Sequence, residues 1–571
     1  MKITSTRRLF LGGTAAAGTA LALAACGQQS AEEQASQAAE ENSGAAEEQA
    51  SLPSTAWERA EYDAVADGGT LTLAVSQLPN NWNSNQTDGN LADLTKIRDA
   101  MGYGHAILYS ESGEKTMNRD YVESAELTSE DPQIVTVKFN PSAVWENGDP
   151  IVVADLIAEW KSLNATNEEY LIVSSVGWDQ IKEIRQTDDE FSAEIEFSSP
   201  FVDWITVAYP TLPASISGDV AAFNEGYTSQ ATPSAGPFKV GSIDAAGGVV
   251  TLVRNELWWG RAPKLETIIY KVTDQSQAPA AFANGELDAY DIANGDELAQ
   301  AKGRSDAAIQ VTNGLTWTHL TINTQGGDGA LADVKVREAI ARGIDRTAIG
   351  NAVIGPLEAP IVLVDNFVYM PGQDGYEDSF GGLDFDSEGA AAILEEAGWA
   401  LNGDVREKDG KQLAFNIIVP ADTKSNEDRA AQVVSNLNAI GFKVAVETVP
   451  SDAYFDEYVT PKNFDAVTFS WVGSQFPESS SVNLVYPLDS GQNFTNFADD
   501  RLGELDGQIK GAFEDAERKK VANEISTVIA ESFAIIPFYA TPNIVGVKTG
   551  IVNYGASQFE NVDWTQVGMK A

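Results

Sequence analysis

The sequence predicts an α/β protein with more than one lobe. Apolar residues alternate with period two in some segments and recur every three to four residues in others, and the two patterns interleave along the chain. Roughly 515 residues follow a non-globular N-terminus, more than one ordinary core accommodates. Twelve Trp, 16 Tyr and 23 Phe supply ample material for such cores.

The N-terminus reads as an address. Lys2, Arg7 and Arg8 precede an apolar stretch from Leu9 to Ala25, and no acidic residue occurs before Glu32. The stretch is too short and too rich in small residues for a membrane-spanning helix, and fits a secretory signal over residues 1–25. Thr6-Arg7-Arg8-Leu9-Phe10-Leu11 resembles a twin-arginine export motif, and Leu23-Ala24-Ala25-Cys26 resembles a lipobox. Cys26 is the single cysteine of 571 residues, so no disulfide forms within the chain. A lone thiol directly after a signal is suited to carry a diacylglyceryl group, and two acyl chains anchor stably at about 0.8 kcal/mol per buried methylene. Residues 26–60 are then a lipid-anchored tether. Within it Gly27 to Thr55 is rich in Ala, Gln, Glu and Ser, lacks aromatics and has nothing to bury.

A formal charge of −47 repels phosphate backbones, so nucleic acid is not an expected partner. The two histidines, His105 and His319, and one cysteine cannot build a Cys/His zinc site, and no metal or cofactor is expected. There is no HExxH, no G-x-S-x-G and no P-loop, so no catalytic residue is assigned. A Ser-His-Asp hydrolase would have to use one of those histidines. Asp384 to Glu395 nearly fits a calcium loop, but Ala390 to Leu394 reads as helix with Asp386 as its N-cap.

In chain order, Gly69–Val75 alternates as a strand and is broken by the turn formers Pro79 to Ser84. Strands follow at Gln133–Phe139, Phe191–Phe197, Val249–Arg254 and Lys264–Val272, with a helix at Ala154–Trp160. Helices are expected at Val334–Ile344 and at Ser387–Ala397, the latter stopped by Gly398. Strand Leu413–Val419, helix Glu427–Ile440 and strand Lys443–Val449 come next. A long helix at Asp515–Phe533 leads into an apolar run ending at Tyr539.

Several short stretches, in this order, resemble the family 5 solute-binding proteins of ABC importers. Trp145-Glu146-Asn147-Gly148-Asp149-Pro150, continuing to Ala154-Asp155-Leu156, is similar to that family's tryptophan, Asp-Gly-x-Pro and Ala-x-Asp-Val signature. Gly236-Pro237-Phe238, Arg254-Asn255 to Trp258-Trp259, Gly285-Glu286-Leu287-Asp288 and Val334-Lys335-Val336-Arg337-Glu338-Ala339-Ile340 with Ile344-Asp345-Arg346 continue the resemblance. Ala397-Gly398-Trp399 and Asp409-Gly410-Lys411 complete it.

The resemblance implies a two-lobed periplasmic-binding-protein-like α/β fold with a hinge. Lobe I would span residues 61–317 with a subdomain inserted at about 100–230. Lobe II would span 318–540, and 541–571 would return to lobe I. It implies a monomeric, non-enzymatic receptor that encloses a short peptide or another small solute and delivers it to an ABC permease and its ATPase. The receptor would sit on the extracytoplasmic face of the membrane, held by lipid on Cys26. A second reading keeps the fold but replaces transport with regulation of envelope assembly, and a secreted hydrolase is the third.

Candidate ligand contacts follow. Asn81, Trp82 and Asn83 end the first strand, either lining a cleft or forming a capped turn. Trp471, Gly473, Ser474 and Gln475 end a strand of lobe II. Trp471 is either a cleft aromatic or core. The resemblance implies an aspartate near Ser474 to meet a peptide's ammonium. A neutral hydroxyl does not replace it, and Glu478 is the acid that could. Trp317 lies where the chain crosses between lobes, lining the cleft or plugging the hinge.

Overall fold

The computed structural model describes residues 52–571 apart from 422 and 480. The signal, Cys26 and nearly all of the tether lie outside the described residues.

The N-terminal lobe is built on a four-stranded sheet. Thr70–Val75 pairs in parallel with Thr267–Val272, which is followed by antiparallel Val249–Arg254 and Phe238–Asp244. Between the first strand and the rest lies an antiparallel sheet ordered Val122–Glu130, Gln133–Phe139, Ser192–Phe197, Ile181–Gln186. It has its own core around Val135, Ile195, Leu156 and Phe223. The signature stretch is knotted there by Asp155. Its carboxylate accepts from Trp145 Nε1 at 3.2 Å, Val152 N at 3.1 Å and Ala214 N at 2.7 Å. Those bonds close the first turn of the helix Val153–Leu163.

The C-terminal lobe holds a six-stranded sheet ordered Val362–Leu363, Ile535–Ala540, Thr316–Ile322, Ala466–Val472, Ala414–Pro420, Lys443–Val449. Ala414–Pro420 is parallel to both of its neighbours. The helix Lys424–Ala439 carries the chain from Ala414–Pro420 to Lys443–Val449 on one side, and the next strand, Ala466–Val472, returns to the other side. The connection thus reverses direction at the carboxyl ends of the two strands, the kind of switch point at which ligands of parallel α/β sheets bind.

Every element predicted from periodicity is present, with boundaries shifted by no more than about three residues. Asp386 caps the helix Ser387–Glu396 by accepting from Gly389 N at 2.8 Å, so the near-calcium loop is helical. A three-stranded sheet of Ala289–Asp291, Asn543–Lys548 and Ala307–Thr312 lies between the lobes' main sheets. From it the chain passes into the six-stranded sheet at Asn313–Leu315, beside the return crossing at Thr541. Thr541 N donates to Thr316 O at 2.7 Å. A Cβ on Gly314 would stand 2.0 Å from Thr541 O, so only glycine fits where the two crossings touch.

Candidate functional site

The strand ends at this switch point in the C-terminal lobe carry an aromatic cluster. Strand alternation puts Trp317 and His319 on one face of the sheet, opposite Trp471 and Phe469 of the paired strand. His319 lies 5.0 Å from the Trp317 ring and 4.5 Å from Phe469. Trp471 stacks on Phe494 at 5.9 Å and 6°. Phe469 meets Phe455, from the π-helical turn Tyr454–Val459, at 5.5 Å. Trp471 is half-buried, whereas Phe455 is 47% and Val472 72% exposed, so the platform surfaces at the strand end. Trp317 is 5% exposed, packs on Phe367 and plugs the sheet near the crossing.

Two ionisable side chains, His319 and Arg429, sit behind these rings. His319 is fully buried, with Nδ1 on the Thr321 hydroxyl at 3.0 Å and Nε2 without a partner. Burial, helped by the nearby Arg429 guanidinium, pushes its pKa down to about 3. Arg429 is 5% exposed and donates to the Thr468 hydroxyl and the Tyr539 hydroxyl, both at 3.4 Å, and to Asn426 Oδ1. Among the described residues it forms no ion pair.

The loop after Trp471 is one place where the halves touch. Gly473 N donates to Leu315 O at 2.7 Å, and a Cβ there would meet Met370 Cγ at 2.7 Å. The exposed Ser474 accepts from Phe476 N at 2.9 Å. Gln475 Nε2 donates to Phe559 O at 3.2 Å. Tyr109 meets Phe476 edge-on at 6.1 Å, and Lys115 Nζ stands 4.3 Å over the Phe476 ring. Glu478, the acid considered as a replacement for the absent aspartate, is buried and engaged. It faces Lys115 at 3.5 Å, Arg518 at 3.7 Å and the Tyr369 hydroxyl at 3.4 Å.

Asn81, Trp82 and Asn83 lie apart from this platform, inside the N-terminal lobe, at 1%, 2% and 0% exposure. Asn81 Nδ2 donates to Asn224 O at 2.7 Å and Asn83 Nδ2 to Phe223 O at 3.0 Å, and Trp82 joins the core under the first strand. They form the capped-turn alternative, fastening the loop to the inserted sheet's helices.

The open surface of that lobe lies just beyond them. A pocket of about 300 Å³ is lined by Ser84, Asn85, Asn90, Tyr103, Val173 and Val176, among others. Val176 is 66% exposed. Behind it Arg98, 3% exposed, donates to Ser84 Oγ and lies 4.0 Å from the Tyr103 ring centre. Neighbouring Glu159 is fully buried, accepting from Thr211 N at 2.6 Å and Asn85 Nδ2 at 2.9 Å. Burial pushes its carboxyl up to about 7, against the opposing pull of those hydrogen bonds.

Neither histidine is hydrogen-bonded to a serine or cysteine among the described residues. His105 Nε2 rests on Asp99 at 2.9 Å. Burial lowers its pKa, and Asp99 more than offsets this, so the net shift is upward. Among the described residues there is no cluster of three or more His, Cys, Asp or Glu positioned for a metal, and no helix long and apolar enough to cross a membrane.

The family description "Bacterial extracellular solute-binding proteins, family 5 Middle" matches residues 116–493. The chain belongs to this family. It is 32% identical over 506 residues to the oligopeptide-binding protein OppA of Mycobacterium tuberculosis (strain ATCC 25618 / H37Rv), spanning 88% of this chain and 85% of that protein. The probable monoacyl phosphatidylinositol tetramannoside-binding protein LpqW of M. tuberculosis is 23% identical over 381 residues, 60% of this chain and 58% of LpqW. The solved structure of the periplasmic EDTA-binding protein EppA superimposes with a TM-score of 0.79 at 26% identity, over 91% of this chain and 99% of that one. The two-lobed architecture is thus that of a family 5 binding protein.

Proposed function

We propose that the mature protein is a lipoprotein, anchored through Cys26 on the extracytoplasmic face of the membrane, that captures short peptides or similarly sized solutes. It would act as a monomer and deliver them to an ABC permease and its ATPase. The observation that carries this reading is the aromatic platform of Trp471, Phe494 and Phe455, which lies beside a loop through which the lobes touch. A ligand seated there would contact both halves, and closure would bury it. Stacking on aromatics and main-chain hydrogen bonds suits peptides of varied sequence. Similarity to OppA supports a peptide ligand. With Ser474 in place of an acid and Glu478 already engaged, the ammonium end of a peptide meets no free carboxylate in this loop.

Similarity to LpqW supports the envelope-assembly reading as the alternative. Native mass spectrometry of a soluble form starting at Gly27 separates the two. Co-purifying mass that fragments into a ladder of short peptides supports capture for import. A bound glycolipid, or no small-molecule adduct at all, overturns it. Labelling of the wild-type chain with a fatty-acid analogue, lost in Cys26→Ser, tests the anchor.

A further inference from the structure

Arg98 is a cation without an anion. It lies on the helix Ala92–Asp99, on the stripe that also carries the buried Leu94 and Ile97. Its contacts are neutral: the Ser84 hydroxyl and the Tyr103 face. Among the described residues no carboxylate lies within ion-pairing distance of it. Glu159 acts on it without touching it, its oxygens being occupied by Thr211 and Asn85. Because Glu159 titrates near neutrality, it is a weak counter-charge. Burial accordingly pulls the Arg98 pKa down. A buried unpaired charge is costly, and an anion arriving from outside would offset that cost.

The space for that partner is present. Arg98 borders a cavity of about 60 Å³, lined also by Tyr103, Thr211 and Tyr209. That is room for roughly four water-sized probes, or for a carboxylate and its adjoining carbon. Tyr209 is 7% exposed, and its hydroxyl has no hydrogen-bond partner among the described residues. Tyr103 lines both this cavity and the 300 Å³ pocket that opens to the surface beside Ser84 and Asn85.

We infer that this cavity is a carboxylate subsite, in which Arg98 and the Tyr209 hydroxyl donate to one carboxylate of a solute entering through the outer pocket. It lies in the N-terminal lobe, apart from the Trp471 platform, so it goes beyond the solute-capture reading as a second ligand site, one for carboxylate-bearing solutes, either a peptide's C-terminus or a polycarboxylate chelator.

The test uses acetate on the soluble chain starting at Gly27, with acetamide and chloride as controls, read by thermal shift and by acetate NMR line broadening. Acetate should raise the melting temperature and broaden, and acetamide should do neither. Arg98→Met should abolish the response. Tyr209→Phe, which removes only a hydroxyl unpartnered among the described residues and should fold normally, should weaken acetate binding about ten- to hundredfold, the loss of one hydrogen bond to a charged group. Competition by trialanine but not by its C-terminal amide would assign the peptide source, and competition by EDTA the chelator. An absent acetate response, or an equal one in both variants, overturns the subsite. Because acetate probes the cavity alone, that failure is distinguishable from failure of solute capture, which native mass spectrometry reads independently.

Discussion

Replacing Glu159 with Gln should change how stability depends on pH. The carboxyl is fully buried and titrates at about 7, whereas in an unfolded chain it titrates near 4.5. Between those values the folded protein retains a proton that the unfolded chain has released. The resulting contribution is fully present below about pH 4.5 and is lost as pH rises through 7. At about 1.4 kcal/mol per pH unit, the wild-type protein loses about 2 to 3 kcal/mol between pH 5 and pH 8 from this group. A Gln cannot ionise, and its amide can still accept from Thr211 N while donating to the Thr211 hydroxyl. Stability relative to wild type should therefore rise in the variant by that amount across the same range. Urea unfolding followed by tryptophan fluorescence, at matched ionic strength and several pH values, measures it. General repulsion within a chain of charge −47 also varies with pH, but it is nearly common to both proteins and cancels in the difference. A difference that stays constant to within about 0.5 kcal/mol from pH 5 to 8 would refute the assignment.

His319 should act in the opposite direction. Its contribution is present above about 6.5 and is lost as pH falls towards 3, so His319→Phe should spare about 2 to 3 kcal/mol of the loss between pH 6 and 4 in acid unfolding curves. Trp471→Ala should weaken binding of the co-purifying ligand at least tenfold by calorimetry while lowering stability by only about 1 kcal/mol, because the ring is half-buried and stacks chiefly on Phe494. Lys115→Met should favour an open form, seen as a larger radius of gyration in X-ray scattering and as severalfold faster ligand release. Glu478 would keep Arg518 and Tyr369, so the fold should survive.

Trp471 was legible as a strand-end aromatic from its place just before a Gly-Ser loop, and it stands half-buried on Phe494. Asn81, Trp82 and Asn83 looked equally suitable, yet the Phe223–Asn224 backbone satisfies both amides. That segment lies some 140 residues away, and no local pattern announces it. Arg98, Glu159 and Arg429 were overlooked although a signal existed. Arg98 shares its stripe with Leu94 and Ile97, Glu159 with Leu156 and Leu163, and Arg429 with Val433 and Leu437. A charge at an apolar position of a helical period marks either a mistaken helix or a buried functional group.

Periodicity, turn residues and the ordered motifs determined the family, the α/β elements and their order, because each depends on neighbours within a few residues. The acidic character likewise follows from composition alone. Only the tertiary structure decided which polar groups are satisfied and which are left waiting. Whether Asn83 meets the Phe223 carbonyl, whether Glu478 meets Lys115, and whether Arg98 meets any acid depend on where distant segments come to rest. Burial sets the cost of leaving such groups unpaired, and burial is a property of the packed chain rather than of any segment.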